Sequence, residues 1–140
     1  MLERTRTLLI VEDDKDVRAI FAELFAQEGY HVLESSNGAE AYDTLLGVGV
    51  KVDAILTDLR MPIMNGLELA IKIKNDPHFS STPVVLLSAT PMQNSWEARR
   101  IFDALLVKPC PLSLLLSTIE AVQPSDVNIA LQGGHEAAFR

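Results

Sequence analysis

Leu8-Leu9-Ile10-Val11-Glu12-Asp13-Asp14 sets how the rest of the chain is read. Four aliphatic residues in a row stop abruptly at three acids. That is the pattern of a short strand buried on both faces, ending at a polar edge. Beyond the acids the period changes. Val17, Ile20, Phe21, Leu24 and Phe25 recur at helical spacing, and Gly29 supplies a stop. The unit is therefore a strand followed by a helix. It recurs: further apolar runs stand at Val32–Leu33, Ala54–Leu56, Val84–Leu87 and Ala104–Val107. Ala41, Tyr42, Leu45 and Leu46 form a second helical stripe behind Asn37, a capping residue, with Glu40 placed as a capping-box acid. Leu67, Ala70 and Ile71 open a third helix that Asn75-Asp76-Pro77 ends. Ser95 caps a fourth containing Ala98, Ile101 and Phe102. Pro111 opens a fifth that carries Leu112, Leu115, Leu116 and Ile119. Five strand–helix units imply an α/β fold: a doubly wound parallel sheet with right-handed crossovers and helices on both faces.

The 140 residues suit one domain, with a core large enough to need no staples. The strand–helix pattern spans 1–123. Residues 124–140, punctuated by Pro124, Gly133 and Gly134, read as a flexible C-terminal tail. The net charge of −7, from 12 basic and 19 acidic residues, leaves no basic face for counterion displacement. Nucleic acid and anionic membrane are thus not expected partners. No apolar run approaches the roughly 18 residues of a membrane span. The single cysteine, Cys110, has no internal disulfide partner, and a cytoplasmic location is expected. His31, His78 and His135 lie far apart and give no zinc-type spacing.

In open α/β sheets ligands bind beyond the carboxyl ends of the strands. The first strand is followed by Glu12, Asp13 and Asp14, the third by Asp58, the fourth by Ser88 and the fifth by Lys108 and Pro109. Singly, each has an ordinary reading: a solvated loop acid, a turn serine, a surface lysine. Together they form a coherent set. Acids from two loops suit a hard divalent cation such as Mg²⁺. Lysine adds a point charge for a phosphate oxygen, and serine a rotatable donor. A carboxylate in such a site can itself be the nucleophile that takes up a phosphoryl group.

These residues, with the run Asp58-Leu59-Arg60-Met61-Pro62-Ile63-Met64-Asn65-Gly66, Ser88-Ala89 and Lys108-Pro109, resemble the receiver domain of two-component response regulators over about residues 7–122. The resemblance implies a flavodoxin-like (βα)5 fold with strand order 2-1-3-4-5. It implies that Asp58 accepts phosphate from a histidine kinase or histidine phosphotransfer protein, switching interactions with a downstream protein target. It assigns Mg²⁺, or Mn²⁺, to Asp13, Asp58 and the Arg60 backbone carbonyl, with Glu12 acting directly or through water. Ser88 and Lys108 would contact the phosphoryl group, Pro109 would follow a cis bond, and Gly66 would be structural. Asp14 would be an electrostatic neighbour. Arg60 and Thr90 would modulate dephosphorylation. Such a module is not an enzyme in the ordinary sense, though it assists its own phosphorylation and dephosphorylation.

Two departures from the family pattern stand out. Leu105 occupies the position, three before the lysine, where an aromatic switch residue is common. The Ser88–Lys108 stretch is also short, so a truncated fourth helix is expected, and with it an altered output face. An aspartyl-phosphate phosphatase would carry an acid two residues after its nucleophile, where this chain has Arg60. The other alternative is a receiver-like interaction module that works without phosphorylation. The 18 residues past 122 are too few for an output domain, so a lone receiver is expected. The first helix and the loops near Asp58 would dock the histidine-bearing partner. Phe21 and Phe25 read as core. Trp96 is expected to cover the short fourth helix, and Cys110 to be a small packed residue. Met64 and Leu114 read as singly exposed apolar residues.

Overall fold

The aliphatic runs become strands because each can bury both faces once helices cover the sheet. The computed structural model describes residues 4–92 and 94–124. Its strands are β1 (Thr7–Val11), β2 (His31–Ser35), β3 (Ala54–Thr57), β4 (Val84–Ser88) and β5 (Ala104–Val107). The helices are α1 (Lys15–Gln27), α2 (Gly38–Gly47), α3 (Gly66–Lys74), α4 (Trp96–Ile101) and α5 (Leu112–Ala121). All pairings are parallel and the order is β2-β1-β3-β4-β5, as expected. The tail expected at 124–140 lies, from 125 onward, outside the described residues.

Alternation along the central strands divides the core in two. Leu9, Val11, Ile55, Val84 and Leu86 face one layer with Ala41, Leu45, Leu69, Ile73, Ala98 and Phe102, drawn from α2, α3 and the α4 end. Leu8, Ile10, Leu56, Val85 and Leu87 face the other, with Phe25, Leu115 and Ile119 from α1 and α5. Phe25 is fully buried and Phe21 packs beside it, as expected of core residues.

Several expected stripes are displaced. Ile20 and Leu112 are exposed, because α1 and α5 turn Phe25, Leu115 and Ile119 inward instead. In α3 the inward set is Leu69, Ala70 and Ile73, and Ile71 is only half-buried. Trp96 does not cover α4: it is 72% exposed, and Ala98 makes the inward contact. Met64 is half-buried against the core and Gly38. The fourth helix is indeed short, with 6 residues behind its Ser95 cap.

Candidate functional site

The polar residues after the strands are held at the sheet edge by hydrogen bonds that prolong the ladder. Asp58 N–H donates to Val11 O at 3.0 Å, Glu12 N–H to Ser35 O at 3.0 Å and Lys108 N–H to Ser88 O at 2.9 Å. Each side chain is therefore presented by a backbone anchored to a neighbouring strand. The Lys108–Pro109 peptide is cis, as expected.

Carboxylate oxygens of Glu12, Asp13 and Asp58 lie within 4.8 Å of one another. Lys108 Nζ reaches into the group, 3.2 Å from Glu12 Oε1 and 3.5 Å from Asp58 Oδ2. Asp58 Oδ1 accepts from Leu59 N–H at 2.7 Å. Glu12 is 4% exposed, Asp13 is exposed, and Asp58 lies between them. Burial holds the Glu12 carboxyl above its ordinary pKa, and the nearby Asp58 charge adds to this against the Asp14 N–H and Lys108. Burial would lower Lys108, but the charges of Asp58 and Glu12 outweigh it and raise its pKa. The lysine therefore stays protonated between two carboxylates.

The oxygen-only donor set, with its excess of negative charge, fits a hard divalent cation. Glu12, Asp13, Asp58 and the Arg60 carbonyl are the residues that would hold one.

Ser88 is buried at the end of β4, and its hydroxyl accepts from Thr90 N–H at 3.0 Å. Thr90 Oγ1 accepts from Arg60 Nε at 3.2 Å, so the two expected modulators are bonded to each other. Ala89 is exposed beside them. Leu105 is half-buried against the α2–α3 core layer.

Gly66 proves indispensable to this geometry. A Cβ there would stand 2.1 Å from the Asp58 carbonyl oxygen, and Gly66 N–H donates to Leu59 O at 2.8 Å. The intervening loop is tight. Met64 N–H donates to Pro62 O at 2.7 Å around Ile63, whose φ of 71° is rare for a β-branched residue.

Three positioning roles escaped the sequence reading. Asp14 is the N-cap of α1, accepting from Asp16 and Val17 N–H, rather than only an electrostatic neighbour. An acid just ahead of a helical stripe was the signal for it. Arg18 Nη1 donates to Glu12 O at 2.7 Å and Nε to Glu34 at 3.2 Å, which braces the turn after β1. Gly38 N–H donates to Met64 O at 2.9 Å, tying α2 to the loop after β3. No local pattern announces the last two.

Beside the cluster runs an open groove of about 640 Å³, lined by Asp13, Arg60, Met61, Pro62 and Met92 among others. No helix among the described residues is long and apolar enough to cross a membrane.

A 2-1-3-4-5 parallel sheet that gathers three carboxylates and a lysine at its carboxyl edge defines the flavodoxin-like class of doubly wound folds, with its polar site beside the switch in strand order. The chain belongs to one family of that class: the response regulator receiver domain model matches residues 8–120. It is 30% identical over 118 residues to the polar-differentiation response regulator DivK of Brucella anthropi, covering 83% of this chain and 94% of that protein. It is 34% identical over 82 residues to the chemotaxis protein CheY1 of Helicobacter pylori, covering 58% of this chain and 65% of that one. Another relative is far longer, the match covering 12% of it. Among solved structures, the chemotaxis response regulator CheY4 of Vibrio cholerae superposes with a TM-score of 0.77 at 26% identity, covering 85% of this chain and 99% of that one.

Proposed function

We propose that Asp58 is the phosphoacceptor of a two-component or phosphorelay system, taking its phosphoryl group from a histidine of a kinase or phosphotransfer partner. A carboxylate oxygen of Asp58 would form the new O–P bond as the N–P bond of the donor breaks, the imidazole leaving with the electron pair. The observation that carries this reading is Lys108 Nζ held 3.2 Å from Glu12 and 3.5 Å from Asp58 within the three-carboxylate group. A lysine so placed can follow charge from the carboxylate to an incoming phosphoryl oxygen. Bound Mg²⁺ would neutralise charge on the transferring group. Glu12 and Asp13 orient the site, and Ser88, at the end of β4, is the hydroxyl available to the phosphoryl group once it turns from Thr90. The phosphorylated chain would bind a downstream protein target. With Leu105 at the usual aromatic position and an α4 of 6 residues, its output face would respond differently from that of an ordinary receiver.

The test is intact mass after incubation with Mg²⁺ and a small phosphodonor such as phosphoramidate. The expected result is a labile phosphate adduct on the wild type, lost in Asp58→Asn. Absence of any adduct, or its persistence in Asp58→Asn, overturns the assignment. A protein that binds its partner equally with and without phosphate would instead be the phosphorylation-independent module.

A further inference from the structure

Arg60 stands two residues past the acceptor, yet its side chain reaches out of its own loop. Its Nε donates to Thr90 Oγ1 at 3.2 Å, and Thr90 N–H donates to Ser88 Oγ at 3.0 Å. Arg60, Thr90 and Ser88 thus join the loop after β3 to the loop after β4, at the side of the groove that Arg60, Asp13 and Met92 line. The partner uses little of what an arginine offers. A guanidinium is always charged and shaped for paired contact with an anion. Among the described residues its hydrogen bond goes to a neutral hydroxyl, and the side chain is exposed rather than locked in a core.

We propose that Arg60 is parked on Thr90 in the resting protein and transfers to the phosphoryl group once Asp58 carries one, releasing the loop between β4 and α4. The proposal rests on the reading of Asp58 as phosphoacceptor. Phosphorylation exchanges a singly charged carboxylate for a group of charge about −1.5 to −2 at neutral pH. Lys108 and one divalent cation balance the three carboxylates; the phosphoryl group adds negative charge they do not cover. Arg60 sits on the acceptor's own loop and can supply the missing positive charge. A phosphoryl group adds charge attraction and a second acceptor oxygen for the guanidinium fork, neither of which a single neutral hydroxyl offers, so the exchange favours the phosphoryl oxygens. Thr90 then loses its tie to the acceptor loop. The freed segment leads through Ser95 directly into α4. This route carries the signal by electrostatics and needs no aromatic ring at position 105.

Trp96 begins α4, is 72% exposed and is the chain's one tryptophan, so its emission reports this loop. Two measurements test the proposal: amide hydrogen exchange of the loop 89–95, and titration of Trp96 emission with beryllofluoride and Mg²⁺, the fluoride standing in for phosphoryl. In the resting protein, Thr90→Val and Arg60→Gln should each speed loop exchange several-fold, and Thr90→Ser should restore it. The two losses should then diverge. Arg60→Gln should bind beryllofluoride several-fold more weakly, whereas Thr90→Val, with no bond to surrender, should bind it at least as tightly as wild type. A merely structural role would move both in the same direction. Unchanged loop exchange in both variants, or equal weakening of beryllofluoride binding, overturns the proposal while leaving the phosphoacceptor reading intact. A wild type that takes neither beryllofluoride nor phosphate overturns both.

Discussion

At the scale of single residues, Gly66 and Asp53 show how differently two decisive positions can register in a sequence. Gly66 closes the motif that begins at Asp58, so its importance is legible, but its reason is spatial: the Asp58 carbonyl leaves no room for a Cβ. Gly66→Ala should cost about 1–3 kcal/mol, as overpacking does, and displace the acceptor loop. A lowered denaturant midpoint with slower uptake of phosphate would be the matching pair of observations. Asp53 gives no sequence signal at all. It is 5% exposed, accepts from Thr7 N–H at 2.8 Å and is clasped by Arg4 through both guanidinium nitrogens. Burial pushes its carboxyl up, but the Arg4 and Thr7 bonds prevail and hold it below the ordinary range. A carboxylate with a lowered folded pKa stabilises fully above its unfolded pKa of about 3.9, and less as pH falls through the folded value. Asp53→Asn should therefore cost about 1–3 kcal/mol at neutral pH, in line with hydrogen bonds to charged groups. Chemical denaturation from pH 7 down to pH 3 should show the gap to wild type closing at the acid end. A gap independent of pH would mean the charge contributes nothing.

At the scale of elements, helix starts were more legible than helix faces. Asn37, Ser95 and Pro111 stand at the predicted starts. A start depends on local backbone chemistry, which a few residues can specify. Even so, Glu40 accepts from Ser36 N–H at 2.7 Å rather than from Asn37 N–H, one residue short of a capping box. The full capping box belongs to α3 instead. Asn65 accepts from Glu68 N–H at 2.8 Å, and Glu68 accepts from Asn65 N–H at 2.9 Å. Since α3 starts at Gly66, this cap also secures the acceptor loop. Asn65→Ala should lower stability by about 1 kcal/mol, read from thermal or denaturant unfolding. Ser95→Ala removes a cap from a far shorter helix and should leave Asp58 phosphorylation intact. The faces were harder. Ile20 satisfies the period of α1 but is exposed, because 3.6-residue spacing admits a wide stripe and the packed sheet uses only part of it. Trp96 faces outward for a related reason: on a helix this short, Ala98 and Ile101 fill the inward side.

At the scale of the whole molecule, the site exists only because separate crossovers return to one edge. Glu12 and Lys108 lie 96 residues apart in the chain and 3.2 Å apart in space. Such a cluster of like charges should destabilise the fold until a cation arrives. Addition of Mg²⁺ should therefore raise the thermal midpoint, with a stabilisation of about 2.7 kcal/mol at one hundred times its dissociation constant. Asp13→Asn should abolish most of that rise. Because Asp13 is exposed, its loss without cation should leave the midpoint unchanged or slightly higher. A wild type insensitive to Mg²⁺ would remove the cation from the account of this site.

The sequence alone determined the strand–helix alternation, the edge at which the chemistry collects and the acids, serine and lysine found there. Those follow from periodicity and from which residues stand next to strand ends, both local properties. Tertiary structure decided the rest: which side of each stripe is buried, that Gly38 braces the acceptor loop, that Asp53 anchors the start of β1, and that Arg60 meets Thr90. These depend on the distances between chain segments remote in sequence, and the packing of four crossovers and a final helix over one twisted sheet sets those distances.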